Sequence, residues 1–150
     1  MEHRVEVDIP ARPEYLAVVR SVVTEVAEAA SHLPAGRIDD LRLAVTEACA
    51  NAIDATRRTD GAGGHIHLRC EIDGSRMVVE VGDAAGGFDP DALVPHPPVT
   101  KPDRLKFERG LGVPLMRALA DEVTFRREGG GTVVRLVLRP DGRPSSAGTV

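Results

Sequence analysis

LRLAVTEACANAID, residues 41–54, is the stretch from which the fold can be read. Leu41, Val45, Ala48 and Ala52 recur at steps of three and four residues, the period of an amphipathic helix. Ile38 and Cys49 lie beside that stripe, and the pattern predicts a helix from about Arg37 to Ala55. Glu47 and Asn51 stand four residues apart, so they share a second, polar face. Asp54 lies on or near it. A carboxylate accepts a proton from an attacking hydroxyl or water. A carboxamide oxygen is a hard, neutral ligand suited to Mg²⁺. The alternative for this face is plain solvation.

Toward the N-terminus, Val5, Val7 and Ile9 alternate with charged residues and predict a half-buried strand ended by Pro10. Leu16, Val19, Val23 and Val26 predict a helix over Pro13–Ala30, broken at Pro34-Ala35-Gly36. Toward the C-terminus, His65–Ile72 and Met77–Val81 read as strands joined by the hairpin signal Asp73-Gly74. Pro95, Pro97, Pro98 and Pro102 exclude a single regular element between about Pro90 and Glu108, leaving a long loop. A third helix runs through Leu115, Leu119 and Ala120, followed by strands at Val123–Phe125 and Thr132–Leu138. Such an order predicts an α+β fold: a two-layer sandwich with a mixed, mostly antiparallel sheet covered on one face by helices. Residues 1–139 form one domain in this reading, and 140–150, rich in Pro, Gly and Ser, a disordered tail.

Composition narrows the function. The formal net charge is -4, and Arg57-Arg58 and Arg126-Arg127 are short surface clusters, so direct nucleic-acid or membrane binding is not expected. Aromatics make up 3% and tryptophan is absent, which removes base-stacking platforms. No apolar run reaches membrane-spanning length, and the alternating N-terminus does not read as a signal peptide. Cys49 and Cys70 have no metal or redox spacing, as suits a reduced cytoplasm. His65 and His67 share a strand face without further ligands at sensible spacing.

Three further motifs carry chemistry. Asp83-Ala84-Ala85-Gly86-Gly87-Phe88 follows a strand; a carboxylate there can accept a bond from an exocyclic amine such as adenine's, and the glycines admit a ligand close to the backbone. Gly110-Leu111-Gly112 opens a helix, where free N–H groups and the helix dipole favour phosphate, with Arg109 adjacent. Gly131-Thr132 leads into the last strand.

In this order the motifs resemble those of the GHKL superfamily of gyrase-type ATPases, chaperones, histidine kinases and mismatch-repair proteins. Within it the chain looks most like the anti-sigma-factor serine kinases. LRLAVTEACANAID resembles the N box, VEVGDAAGGFDP the first glycine box, RGLGVPLMRALADEV the second, and GGGTVVRL the closing Gly-Thr box. The likeness runs from Val5 to Arg139, and the Pro-rich stretch falls where the family carries its ATP lid. It implies a Bergerat-type ATP site with Glu47 as general base and Asn51 as Mg²⁺ ligand. Asp54 would join the nucleotide site, Asp83 would read the adenine and Thr132 would support it. Gly87, Gly110 and Gly112 would shape the nucleotide pocket, with Leu111 and Arg109 as further nucleotide-binding residues. The implied function is phosphorylation of a STAS-type anti-anti-sigma protein together with binding of a sigma factor, in a chain that can homodimerise. Two positions depart from the family pattern. Ala85 stands at the first glycine of its box, and Ala55-Thr56 stand where many relatives have histidine. The alternative is a non-catalytic ATP-binding module that sequesters a sigma factor or another regulator.

Overall fold

The computed structural model describes residues 3–60, 63–83, 112–128 and 130–141. The alternating N-terminal segment forms strand β1, His3–Pro10. A short 3₁₀ turn, Pro13–Tyr15, uses Pro13 where a missing N–H costs nothing. Helix α1, Leu16–Ala30, buries Val19, Val23 and Ala27. It stops where the Ser31 hydroxyl donates to Ala27 O at 2.6 Å and itself accepts from Leu33 N.

Helix α2, Ala35–Asp60, is longer than the predicted Arg37–Ala55 at both ends. Pro34 O accepts the amides of Arg37 and Ile38, which draws Ala35 and Gly36 into the first turn instead of leaving them in the break. At the other end, buried Thr56 continues the apolar stripe past Ala52 and Ile53.

Strands β2, His65–Asp73, and β3, Arg76–Gly82, form the expected hairpin. Its turn needs a left-handed residue, and Gly74 supplies it at φ 63°. Helix α3, Gly112–Leu119, strand β4, Glu122–Glu128, and strand β5, Gly131–Leu138, complete the described elements. The sheet order is β1-β2-β3-β5-β4. Every pairing among the described strands is antiparallel, where the sequence reading allowed a mixed sheet.

The three described α-helices lie on one face of the sheet. Helix α2 is central, packed on β2, β3 and β5, with α1 and α3 beside it. Leu41, Val45 and Ile53 of α2 meet Leu68 and Cys70 of β2, Met77 and Val79 of β3, and Leu136 and Leu138 of β5 in one core. Each fully buried aliphatic side chain contributes about 1.5–3 kcal/mol, so α2 is held by its own stripe rather than by helix propensity. On the opposite sheet face Glu80 is buried among Arg69, Arg126 and Arg135. No described helix is long and apolar enough to cross a membrane. Residues 142–150, most of the tail expected to be disordered, lie outside the described residues.

Candidate functional site

The sheet positions the first pair of site residues. Strand β3 sends Met77, Val79 and Val81 into the helix-facing core, and the two-residue period carries Asp83 to the same side. Strand β5 sends Val134, Leu136 and Leu138 inward, so Thr132 follows in phase. The two meet. Thr132 N donates to Asp83 Oδ1 at 2.6 Å, and Asp83 N donates to Thr132 O at 3.2 Å. This extends the β3–β5 ladder beyond Gly82↔Val133 and fixes the direction of the carboxylate. A half-buried carboxylate so oriented is a specific acceptor for an amine donor.

Helix α2 positions the second pair. At about 100° per residue, Asp40, Glu47 and Asn51 fall on one flank of the Leu41–Ala48–Ala52 stripe, and Ile38 and Arg42 on the other. The second flank faces α1, since Ile38 and Arg42 line a cleft with Thr24, Ala27 and Ser31. The first flank faces α3, because Arg37, near Asp40, donates to Leu119 O at the end of that helix. Glu47 and Asn51 are half-buried on this α3 side, and Asp54 is exposed.

Two anchors fix where along the sheet they lie. Arg37 Nε donates to Arg139 O just past the end of β5. At its other end α2 leads into His65, at the start of β2, where His67 pairs with Gly82. Helix α2 therefore runs toward the Asp83–Thr132 end. Asn51 lies about 21 Å up the helix from Arg37, and Thr132 about 23 Å along β5 from Arg139. The two pairs are level with one another. Helix α3, which starts at Gly112, lies on the flank of α2 that carries Glu47 and Asn51.

Gly112 opens α3 as expected. Pro114, in its first turn, has no N–H, so Gly112 and Val113 carry the first-turn donors that lack an intrahelical acceptor. Leu119, at the opposite end, meets Arg37 at the far end of α2, so the α3 N-terminus points back toward the Asn51 end. Gly87, Arg109, Gly110 and Leu111, and with them Ala85 and the Pro-rich stretch, lie outside the described residues.

Sequence reasoning missed the Arg37–Asp121 cluster. Arg37 Nη2 donates to Asp121 Oδ2 at 2.8 Å, and both side chains are buried. No spacing announces a pair so far apart in the chain. Other candidates are structural. His67 meets Glu6 at 3.0 Å on the outer sheet face, and among the described residues no three His, Cys, Asp or Glu side chains converge as a metal cage. Cys49 and Cys70 are free and buried; burial pushes the Cys49 thiol far up and the Cys70 thiol to about 12, so neither is a thiolate near neutrality.

Comparison with known proteins agrees with the fold. A family model described as a histidine kinase-like ATPase domain matches residues 9–138. The serine-protein kinase RsbW of Bacillus pumilus (strain SAFR-032) is 36% identical over 134 residues, covering 86% of this chain and 82% of the relative. The protein of the same name from Bacillus subtilis (strain 168) is 35% identical over 133 residues, covering 86% and 81%. A solved structure, the RsbU and RsbW domains of Rv1364c from Mycobacterium tuberculosis, superposes with a TM-score of 0.63 at 20% identity. It covers 91% of this chain and 32% of that one, and shows the shared fold.

Proposed function

The chain belongs to the histidine kinase-like ATPase family, and from that premise we propose that it is an ATP-dependent protein serine kinase that also acts as an anti-sigma factor. The observation that carries this reading is the placement of Glu47 and Asn51 on the α3-side flank of α2, level with the Asp83–Thr132 pair. ATP lies along that line, with its adenine at Asp83 and its phosphates toward Asn51 and the start of α3. The names of the relatives at 35–36% identity support serine as the accepting side chain.

In the reaction, Glu47 takes the proton of the acceptor serine as its oxygen attacks the γ-phosphorus, and the bond to the departing ADP oxygen breaks. Phosphoryl transfer is mostly positioning and neutralisation of charge, so a domain of this size suffices. The Asn51 oxygen fits Mg²⁺, a hard ion that keeps waters and shares phosphate oxygens rather than requiring an all-protein cage. When bound, that ion neutralises charge on the phosphates. The phosphoacceptor is a STAS-type anti-anti-sigma protein, and a sigma factor is the second partner, bound in the cytoplasm by a chain that can homodimerise.

Calorimetric titration with ATP, with and without Mg²⁺, tests the nucleotide half. Wild type should bind more tightly with Mg²⁺, and Asn51→Ala should lose most of that Mg²⁺-dependent gain. An equal gain in the variant would remove Asn51 from the metal site.

A further inference from the structure

Arg37 is 9% exposed and spends its whole guanidinium on one junction. Nε donates to Arg139 O at 3.2 Å, Nη1 to Asp40 Oδ2 and to Leu119 O at 3.0 Å each, and Nη2 to Asp121 Oδ2 at 2.8 Å. Asp121 Oδ2 also accepts Arg139 N at 2.7 Å, and Asp121 N donates to Val137 O at 2.9 Å. One side chain thus ties the first turn of α2, the last residue of α3 and the exit of β5.

Within α2 itself Arg37 has one described acidic partner, Asp40, to offset an unfavourable position. A cation at a helix N-terminus opposes the dipole, and α2 has no acid in its own first turn. At the C-terminal end of α3 the same cation caps an orphan carbonyl and complements the dipole. The other contacts described for α3 are the buried Val113 and Met116, with Ala120 just past its end, and Arg117, which lies over the Phe125 ring of β4 at 5.7 Å from its centroid. Apolar contact resists separation but has little directionality, whereas a charge-assisted fork is directional. Helix α3 is only about 12 Å long, so a tilt of about 10° at the pinned end moves its N-terminus by roughly 2 Å. Misplacement of about 1 Å can cost on the order of a hundredfold in a site that works by positioning.

We propose that Arg37, with Asp121, is a positioning residue for the phosphate end of the nucleotide site: it fixes the direction of α3, and hence of the Gly112 and Val113 amides, from the far end of that helix. The role rests on the nucleotide reading above. The adenine end, Asp83 and Thr132, lies about 23 Å along β5 from this junction.

The test titrates ATP and adenosine into the full chain, wild type and Arg37→Met, at a temperature where urea unfolding shows both to be folded. Wild type is read first: failure to bind ATP would overturn the nucleotide reading itself. Given wild-type binding, Arg37→Met is expected to weaken ATP at least tenfold while adenosine stays within twofold. Arg37→Lys, which keeps the charge but not the fork, should fall between. ATP affinity within twofold of wild type, or equal losses for ATP and adenosine, overturns the positioning role. If Arg37→Met does not fold, the same comparison is read from Asp121→Asn. Failure of both to fold also overturns it, since the junction is then a requirement of folding.

Discussion

Asp83 accepts from a backbone amide of the neighbouring strand, so its direction is tied to the sheet. Its bond from Thr132 N is 2.6 Å long, and the reciprocal amide bond locks the two residues as one unit. Replacement by alanine removes an ionised acceptor, worth about 1.5–3 kcal/mol. Asp83→Ala is therefore expected to weaken ATP by about ten- to a hundredfold, measured by calorimetry on folded protein. Guanine nucleotides, which present a different edge, should be weak for wild type and unaffected by the change. An Asp83→Ala protein that still prefers ATP as strongly as wild type would take the adenine away from this carboxylate.

Among the elements, β3 is tied to its neighbours from the face that the nucleotide does not use. Its Glu80 stands opposite Arg69 of β2 and Arg135 of β5 in register. It bonds Arg69, and Arg126 Nη1 of β4 at 2.8 Å, while Arg126 Nε bonds Glu128 at 3.1 Å. Burial alone would raise the Glu80 carboxyl, but the bonds and charges of Arg126 and Arg69 outweigh it and hold the group below the usual carboxylate range. A depressed folded value means that the stabilisation is complete above the unfolded carboxyl value of about 4.3. It is lost as pH falls through the lower folded value. Glu80→Gln should accordingly lower the urea midpoint near neutrality and flatten its decline below about pH 4. Parallel curves for wild type and variant across that range would show that Glu80 does not drive the acid limb.

The same elements show what was legible beforehand. The α2 stripe, the Asp73-Gly74 turn, the alternation of β1 and β2 and the short apolar runs of β3 and β5 are local patterns, and local pattern survives in a single sequence. The β3–β5 ladder that brings Asp83 to Thr132 is not local; it was approached only through the order of motifs. Arg37 gave no signal at all. Its partners at Leu119, Asp121 and Arg139 come from distant parts of the chain, and an arginine after a proline break reads as surface until the packing of α3 is known.

At the scale of the whole molecule, one sheet face carries the three described α-helices and the central one runs from the Arg37 junction to the Asp83–Thr132 end. That arrangement separates duties along a single axis: a rigid far end, and a near end where an acid and an amide of α2 stand level with a fixed carboxylate. The proposed phosphoryl transfer requires that all of these serve one bound nucleotide, with Glu47 as the base. The most direct measurement is label transfer from γ-labelled Mg-ATP to the serine of an anti-anti-sigma protein, run with wild type and Glu47→Gln. Wild type should label the acceptor; Glu47→Gln should bind ATP within about twofold of wild type yet transfer more slowly, by about 10²–10⁴-fold. Transfer by Glu47→Gln at the wild-type rate, or no label from wild type while ATP is bound, would contradict the kinase reading.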